Sequence, residues 1–175
     1  LKLGWDSPLS LTPPALQDIQ WWMKHLYSLN GRKILQPLAD FKAATDASNY
    51  GWGAWIKTPR DLISCGGLFT RAEATGWHIN KKELIAILYF LQSCPVNLRN
   101  KVVDLGVDNT TALSYVKKLG GRKRYLAQIS DQIYHVMYDM GTRLLAYHLP
   151  GEINTLADHE SRKLLSLYST DLHLC

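Results

Sequence analysis

The spacing of hydrophobic positions changes character twice along the chain. Near the start, Leu16, Ile19, Met23 and Leu26 recur at intervals of three and four, which places them on one helical face. Thr12-Pro13-Pro14 ahead of them reads as a helix start, with Thr12 at the N-cap and proline in the first turn. Gly31 reads as the stop. Trp21 and Trp22 are adjacent in this helix, so at least one points away from the stripe. It needs a covering surface, in this domain or in a neighbour. From Phe41 the pattern shortens. Phe41–Asp46, Tyr50–Lys57 and Leu62–Phe69 are rich in Trp, Ile, Phe and Ala and are punctuated by Gly51, Gly53, Pro59 and Gly66-Gly67. They predict three antiparallel strands in succession.

Helical spacing then returns in alternation with strands. Asn80–Ser93 carries Leu84, Ile87, Leu88 and Leu91 on one face, an amphipathic helix. Val102–Val107 reads as a buried strand and Asn109–Leu119 as a helix closed by Gly120-Gly121. Tyr125–Met140 is the clearest helix, Arg143–His148 a fifth strand, and Asn154–Leu165 a last helix. Residues 166–175 carry no clear signal. The order is an arm helix followed by β-β-β-α-β-α-α-β-α. It predicts an α/β fold with a five-stranded mixed sheet, three antiparallel strands and then parallel ones, flanked by helices on both faces. The expected division is an arm over 1–40, a domain over 41–166 and a tail over 167–175.

Composition narrows the class. The 175 residues are 46% hydrophobic and 20% charged, which excludes a disordered chain. Apolar runs such as Leu84–Leu91 are too short to cross a bilayer, no segment near the start reads as a signal peptide, and no membrane partner is expected. Cys65, Cys94 and Cys175 are widely spaced and form neither a disulfide framework nor a zinc pattern. They fit a reducing compartment, hence an intracellular setting, cytoplasmic or nuclear. Twenty Lys and Arg against fifteen Asp and Glu give +5, which leans toward an anionic partner and is also ordinary for a soluble domain. The chain opens on Leu1 rather than Met, which reads as a piece of a longer one.

Four carboxylates stand out from the scattered acidic residues. Asp46 ends the first strand and Asp108 follows the fourth, and α/β sheets gather their sites at strand ends. Glu83 lies one turn into the first core helix and Asp158 in the opening turns of the last. Were the first and fourth strands neighbours, Asp46 and Asp108 would meet, and the helical pair would complete a cluster. Bare carboxylates repel at such range, so protons or cations must neutralise them. Oxygen ligands suit Mg²⁺ or Mn²⁺, and paired ions suit in-line phosphoryl transfer. Each residue also has a plainer reading. An Asp at a strand end forms turns or caps helices, a helical Glu is usually solvated, and Asp158 could simply favour the helix dipole.

The wording around these residues adds a resemblance. Thr45-Asp46-Ala47-Ser48-Asn49-Tyr50-Gly51-Trp52-Gly53-Ala54 resembles the first-strand signature of retroelement ribonucleases H. His78-Ile79-Asn80-Lys81-Lys82-Glu83-Leu84 is similar to their first-helix motif, and Val107-Asp108-Asn109-Thr110-Thr111-Ala112 to their fourth-strand motif. His148-Leu149-Pro150-Gly151-Glu152-Ile153-Asn154, followed by Ala157-Asp158 and Ser161-Arg162, resembles the C-terminal motif of gypsy-type elements. The closest likeness is to DIRS-like elements, which pair a reverse transcriptase with a tyrosine recombinase. The match covers roughly residues 40–163. The Gln20-Trp21-Trp22 helix looks like the connection from the reverse transcriptase side.

The resemblance implies a ribonuclease H fold and hydrolysis of the RNA strand of RNA/DNA hybrids, with two Mg²⁺ (or Mn²⁺) ions and products bearing 5′-phosphate and 3′-hydroxyl ends. It implies that Asp46 touches both ions, Asp158 completes the site of the ion that activates water, and Glu83 and Asp108 hold the ion facing the leaving oxygen. It places Asn80 and Thr110 at substrate-contact positions, with Ser48 and Asn49 of the first motif beside them. Reading the 2′-hydroxyl is the chemical way to tell RNA from DNA. Asn80 also reads as a helix N-cap. The implied partners are the hybrid and a reverse transcriptase domain of the same polyprotein.

Two departures from the family are visible. Cellular ribonucleases H carry a histidine-bearing loop before the last carboxylate, and the Gly151–Asn154 gap is too short for it. His148 then stands at a strand end, as an auxiliary group in catalysis or product release or as a structural hydrogen-bonding residue, and His78 reads as structural. Some members also insert a basic helix near Gly120-Gly121, which this chain lacks. Lys117, Lys118, Arg122, Lys123 and Arg124 either replace it by contacting phosphates or form a solvated turn. Trp52, Trp55 and Trp77 read as core. Two further functions stay in view. One is a catalytically weak ribonuclease H-like module that positions the hybrid or scaffolds a polymerase. The other is a DNA strand-transfer enzyme, whose usual three acidic residues differ in order and spacing.

Overall fold

A computed structural model describes residues 7–31 and 37–163. The chain divides into two units, Leu1–Gln36 and Pro37–Cys175. Among the described residues the first unit is one helix, α1 (Pro13–Leu29), with prolines in its first turn as expected. Thr12 occupies the N-cap position, but its side chain makes no capping bond. Helix α1 buries none of its residues, and Trp22, Met23, Leu26 and Tyr27 are all exposed. The expected tail over 167–175 lies outside the described residues, as does the end of the helix expected to reach Leu165.

The second unit contains strands β1 (Phe41–Ala47), β2 (Gly51–Lys57) and β3 (Leu62–Leu68), helices α2 (Arg71–Gly76) and α3 (Ile79–Ser93), and strand β4 (Val102–Val107). Helices α4 (Thr110–Lys118) and α5 (Arg124–Met140), strand β5 (Arg143–His148) and helix α6 (Thr155–Arg162) complete it. The sheet order is β3-β2-β1-β4-β5. Strands β1, β2 and β3 pair antiparallel, while β1–β4 and β4–β5 are parallel. This is the expected five-stranded mixed sheet, with the first and fourth strands adjacent.

Side chains alternate across a strand, so β1 serves two layers. Ala43 and Ala47 join the main core with Leu84, Ile87, Leu91, Leu105, Leu126 and Ile133, under α3 and α5. Ala44 and Asp46 point to the other face, where α6 lies across β1, β2 and β3. Trp52 is buried in the core, and Trp77 packs against it edge-on to Phe69. Trp55 is only half-buried.

The hydrophobic pattern does not announce α2, which is too short to show a period. Its signal is chemical instead. Thr70 Oγ1 accepts from the Glu73 N–H, and Glu73 Oε2 accepts from the Thr70 N–H at 2.8 Å. The Thr-x-x-Glu capping box is written in the sequence.

Candidate functional site

Parallel register brings the first two carboxylates level. Thr45 is opposite Val107 in the β1–β4 ladder, so the next residues, Asp46 and Asp108, emerge side by side at the carboxyl ends of the strands. Helix α3 packs against β1 and presents Glu83 from its second turn. One carboxylate oxygen from each of Asp46, Glu83 and Asp108 lies within 4.8 Å of the others.

The three groups are strained electrostatically. Glu83 is 4% exposed, and burial, then the charges of Asp46 and Asp108, push its carboxyl up to about 9. The Ala47 backbone N–H offsets part of this rise. Burial, then Asp108 and Asp158, push Asp46 up to about 6, against a 2.9 Å hydrogen bond that Ser161 Oγ donates to Asp46 Oδ2. Asp108 is raised chiefly by burial, offset by backbone N–H groups and by the nearby His148. Glu83 Oε2 and Asp108 Oδ1 are buried with no hydrogen-bond partner. Buried carboxylate oxygens without donors are costly. Hard divalent cations are the ligands that such oxygens lack, so the residues present fit Mg²⁺ or Mn²⁺.

Asp158 sits nearby and is engaged differently. It raises both Asp46 and Asp108 electrostatically, yet its Oδ1 accepts from Arg162 at 2.6 and 2.7 Å. The Asp–Arg pair is spaced i, i+4 on one helix, a pairing the sequence permits. The position of α6 is set by glycines. A Cβ on Gly53, which faces Asp46 across the β1–β2 ladder, would run into Ser161 N and Ala157 O. A Cβ on Gly51 would lie 2.7 Å from Gly67 O and 2.8 Å from Ser161 O. Bare backbone on β2 is what lets the helix approach and bring Ser161 onto Asp46.

The other expected site residues divide. Asn80 is not the N-cap of α3. That position belongs to His78, whose Nδ1 accepts from the Asn80 N–H at 3.2 Å. The structural reading of His78 therefore holds, and Asn80 Oδ1 instead accepts from Asn109 Nδ2 at 3.0 Å. Thr110 is exposed at the first position of α4, next to Asp108. Ser48 is a correction. It is buried, and its hydroxyl donates to Ser161 O at 2.8 Å while accepting from the Gly51 N–H at 3.0 Å. It builds the β1–β2 turn, and its hydroxyl is engaged within the protein rather than turned outward as a free substrate contact would be. Asn49 is exposed on that turn, its carbonyl held by Lys82 Nζ at 2.8 Å. Lys82 is itself buried, and Nζ also reaches Ala74 O at 2.7 Å. Its role has no sequence signal, because both carbonyls arrive from other elements.

His148 is exposed at the end of β5, opposite Val107 and beside Asp108. Lys117, Lys118, Arg122, Lys123 and Arg124 are all exposed around the α4–α5 connection, and no acidic group among the described residues pairs with them. Cys65 and Cys94 are free. No helix among the described residues is long and apolar enough to cross a membrane.

A pH dependence follows from the burial. Glu83 and Asp46 rise from ordinary values of 4.5 and 3.8, so folding favours their protonated forms. The stability they contribute is full below those ordinary values. It is lost as pH rises through about 6 for Asp46 and about 9 for Glu83. The metal-free protein should therefore lose thermal stability from about pH 5 to about pH 9, and saturating Mg²⁺ should flatten the curve. Thermal scans across that range test this, and a metal-free Tm that climbs with pH would contradict it.

No protein-family model and no curated protein matches the chain. Solved structures do. Ribonuclease H1 from the halophilic archaeon Halobacterium salinarum NRC-1 superposes with a TM-score of 0.60 at 16% identity, over 72% of this chain and 97% of that one. The N-terminal ribonuclease H domain of a Mycobacterium tuberculosis protein, solved as a fusion with maltose binding protein, gives 0.58 at 13% identity, over 77% and 99%. The likeness is one of fold, and the fold is that of ribonuclease H.

Proposed function

We propose, on a ribonuclease H fold, a divalent-metal-dependent endonuclease that cuts the RNA strand of RNA/DNA hybrids. The observation that carries it is the convergence of Asp46, Glu83 and Asp108 within 4.8 Å, with buried oxygens of Glu83 and Asp108 left without donors. Asp46, Glu83 and Asp108 would hold the first ion, and Asp158 beside Asp46 would complete a second site. When bound, such ions supply an activated water and a counter-charge for the leaving oxygen. The chain's own residues do the rest. Ser161 fixes one Asp46 oxygen, so the other is free for a ligand. The exposed Lys117, Lys118, Arg122 and Arg124 attract phosphates at long range. Asn49, Asn80 and Thr110, each within three residues of Asp46, Glu83 or Asp108 in the chain, would be contacts for the strands. Expected products carry 5′-phosphate and 3′-hydroxyl ends.

The motif wording supports a retroelement setting, with a reverse transcriptase domain of the same polyprotein as partner. The exposed apolar residues of α1 fit an arm over 1–40 whose helix meets such a partner. The Arg162–Asp158 pair favours a second reading, a catalytically weak module, because a guanidinium already neutralises the fourth carboxylate. The two readings part on one variant. Arg162→Gln removes the competing cation and should tighten Mg²⁺ binding about two- to fivefold, the worth of an exposed ion pair. Calorimetric titration reads this. Unchanged or weaker affinity would count against Asp158 as a ligand.

Substrate choice tests the function itself. With Mg²⁺ or Mn²⁺, the chain should cut end-labelled RNA/DNA hybrid far faster than single-stranded RNA or duplex DNA. Equal cutting of duplex DNA would favour a strand-transfer enzyme instead.

A further inference from the structure

One hydrogen bond joins the first turns of α3 and α4, from Asn109 Nδ2 to Asn80 Oδ1 at 3.0 Å. The shape of an amide does not distinguish its oxygen from its nitrogen. Here the chemistry of the neighbours does. Asn109 caps α4, and its side chain meets the Ala112 backbone N–H at 2.9 Å. A backbone N–H only donates, so the capping atom is the oxygen. The other end of Asn109 is therefore NH₂, which only donates. The Asn80 atom facing it must accept, and is Oδ1. Both N–H groups of Asn80 Nδ2 are left over, and no hydrogen bond among the described residues uses them.

The leftover donors belong to a residue one helical turn from a carboxylate. Asn80 is three residues before Glu83 on α3, hence on the same helical face. Asn109 directly follows Asp108. Asn80 is half-buried, so its orientation is set by this contact rather than by bulk water. We infer that Asn109 is a positioning residue. It caps α4 and also polarises Asn80, so that the Asn80 amide presents donors, never its carbonyl, to the nucleic acid at the site. This rests on the nuclease reading above. The group taken is a hydrogen-bond acceptor, either a ribose 2′-oxygen or a minor-groove base atom. Every base pair offers a minor-groove acceptor, while only guanine offers a donor there. A donor at this position therefore tolerates any sequence, and an outward carbonyl would select guanine.

The test uses the whole chain and fluorescently labelled hybrid, with Ca²⁺ in place of Mg²⁺ to separate binding from cleavage. Asn109→Ser keeps a capping oxygen but is too short to reach Asn80. It should weaken hybrid binding about three- to tenfold, the worth of one hydrogen bond, with little change in Tm. Asn80→Ala should lose about as much, and the double variant no more than Asn80→Ala alone. Binding by Asn109→Ser at wild-type strength, or penalties that add, would overturn the inference. Should Asn109→Ser fold poorly, Asn109→Asp serves. It is a strong cap that offers only acceptors, so Asn80 must turn its NH₂ inward and its carbonyl outward. It should then acquire a preference for guanine, and unchanged sequence tolerance in that folded variant would overturn the inference. Hybrids with 2′-deoxy sugars or 3-deazapurines identify the acceptor, because the Asn109→Ser penalty should vanish on whichever lacks it. A penalty that persists on both would contradict a donor role. A wild-type chain that binds no hybrid removes the nuclease reading and this inference together. Wild-type binding with an unaffected Asn109→Ser removes this inference alone.

Discussion

Glu83→Gln should abolish hybrid cleavage and at the same time raise the melting temperature of the metal-free protein. The two effects share one cause. Glu83 is buried between Asp46 and Asp108, and its carboxyl is pushed up to about 9. At neutral pH the fold must either bind a proton there or tolerate three crowded charges. Gln keeps the shape and an oxygen for the Ala47 N–H, and its NH₂ can donate to the neighbouring carboxylates. Relieving the repulsion is expected to stabilise the metal-free fold by on the order of 2 kcal/mol, a Tm rise of roughly 4–8 °C in a domain this size. The same substitution removes an anionic ligand. Cleavage should fall by at least about a hundredfold, since even outer partners of a bound metal are worth 10–100-fold. Differential scanning calorimetry and the hybrid assay read both arms. A variant that loses activity and also loses stability would contradict the charge-cluster account, because a merely structural Glu83 behaves that way.

Gly53→Ala is the second large effect, and it acts through backbone contact without changing any charge. A methyl group at that position meets Ser161 N and Ala157 O, which are backbone atoms of α6 and cannot rotate aside. Overpacking typically costs 1–3 kcal/mol, and a backbone obstacle puts this case at about 3 kcal/mol or more. If the domain stays folded, α6 must lift off β2. Ser161 then leaves Asp46, and Asp158 moves with it. Cleavage should fall with a raised Mg²⁺ requirement, which added metal partly restores. Gly76→Ala is the control, since nothing lies within 4 Å of a Cβ there; it should leave Tm and activity near wild type. Gly53→Ala with wild-type stability and metal dependence would show that α6 does not need the close approach.

Much of this was legible in the sequence because the relevant signals are local. Short apolar runs and helical spacing placed each strand and long helix to within a residue or two, and the turn glycines supplied the punctuation. Asp46 and Asp108 were legible because strand ends are where α/β sheets build sites, and adjacency of β1 and β4 was the only condition. What stayed hidden depends on contacts between distant elements. Ser48 reads as polar and surface-like beside Asp46, yet carbonyls 3 and 113 residues away consume its hydroxyl. Lys82 is buried with its ammonium held by carbonyls from two other elements, a role no local pattern marks. Asn80 looks like a helix cap by composition, but His78 takes that role two residues earlier. The Arg162–Asp158 pair was readable from i, i+4 spacing, and α2 from its capping box. In both the signal is side-chain chemistry at fixed intervals, which a hydrophobic pattern does not register.

Metal-dependent hydrolysis should depend on Asp46. The most direct measurement incubates the whole chain with RNA/DNA hybrid labelled on the RNA strand, with Mg²⁺ or Mn²⁺, beside Asp46→Asn. Wild type should cut the RNA internally to 5′-phosphate and 3′-hydroxyl ends, and Asp46→Asn should leave it intact. Equal cutting by both proteins, or an intact hybrid with either metal, would contradict the central claim.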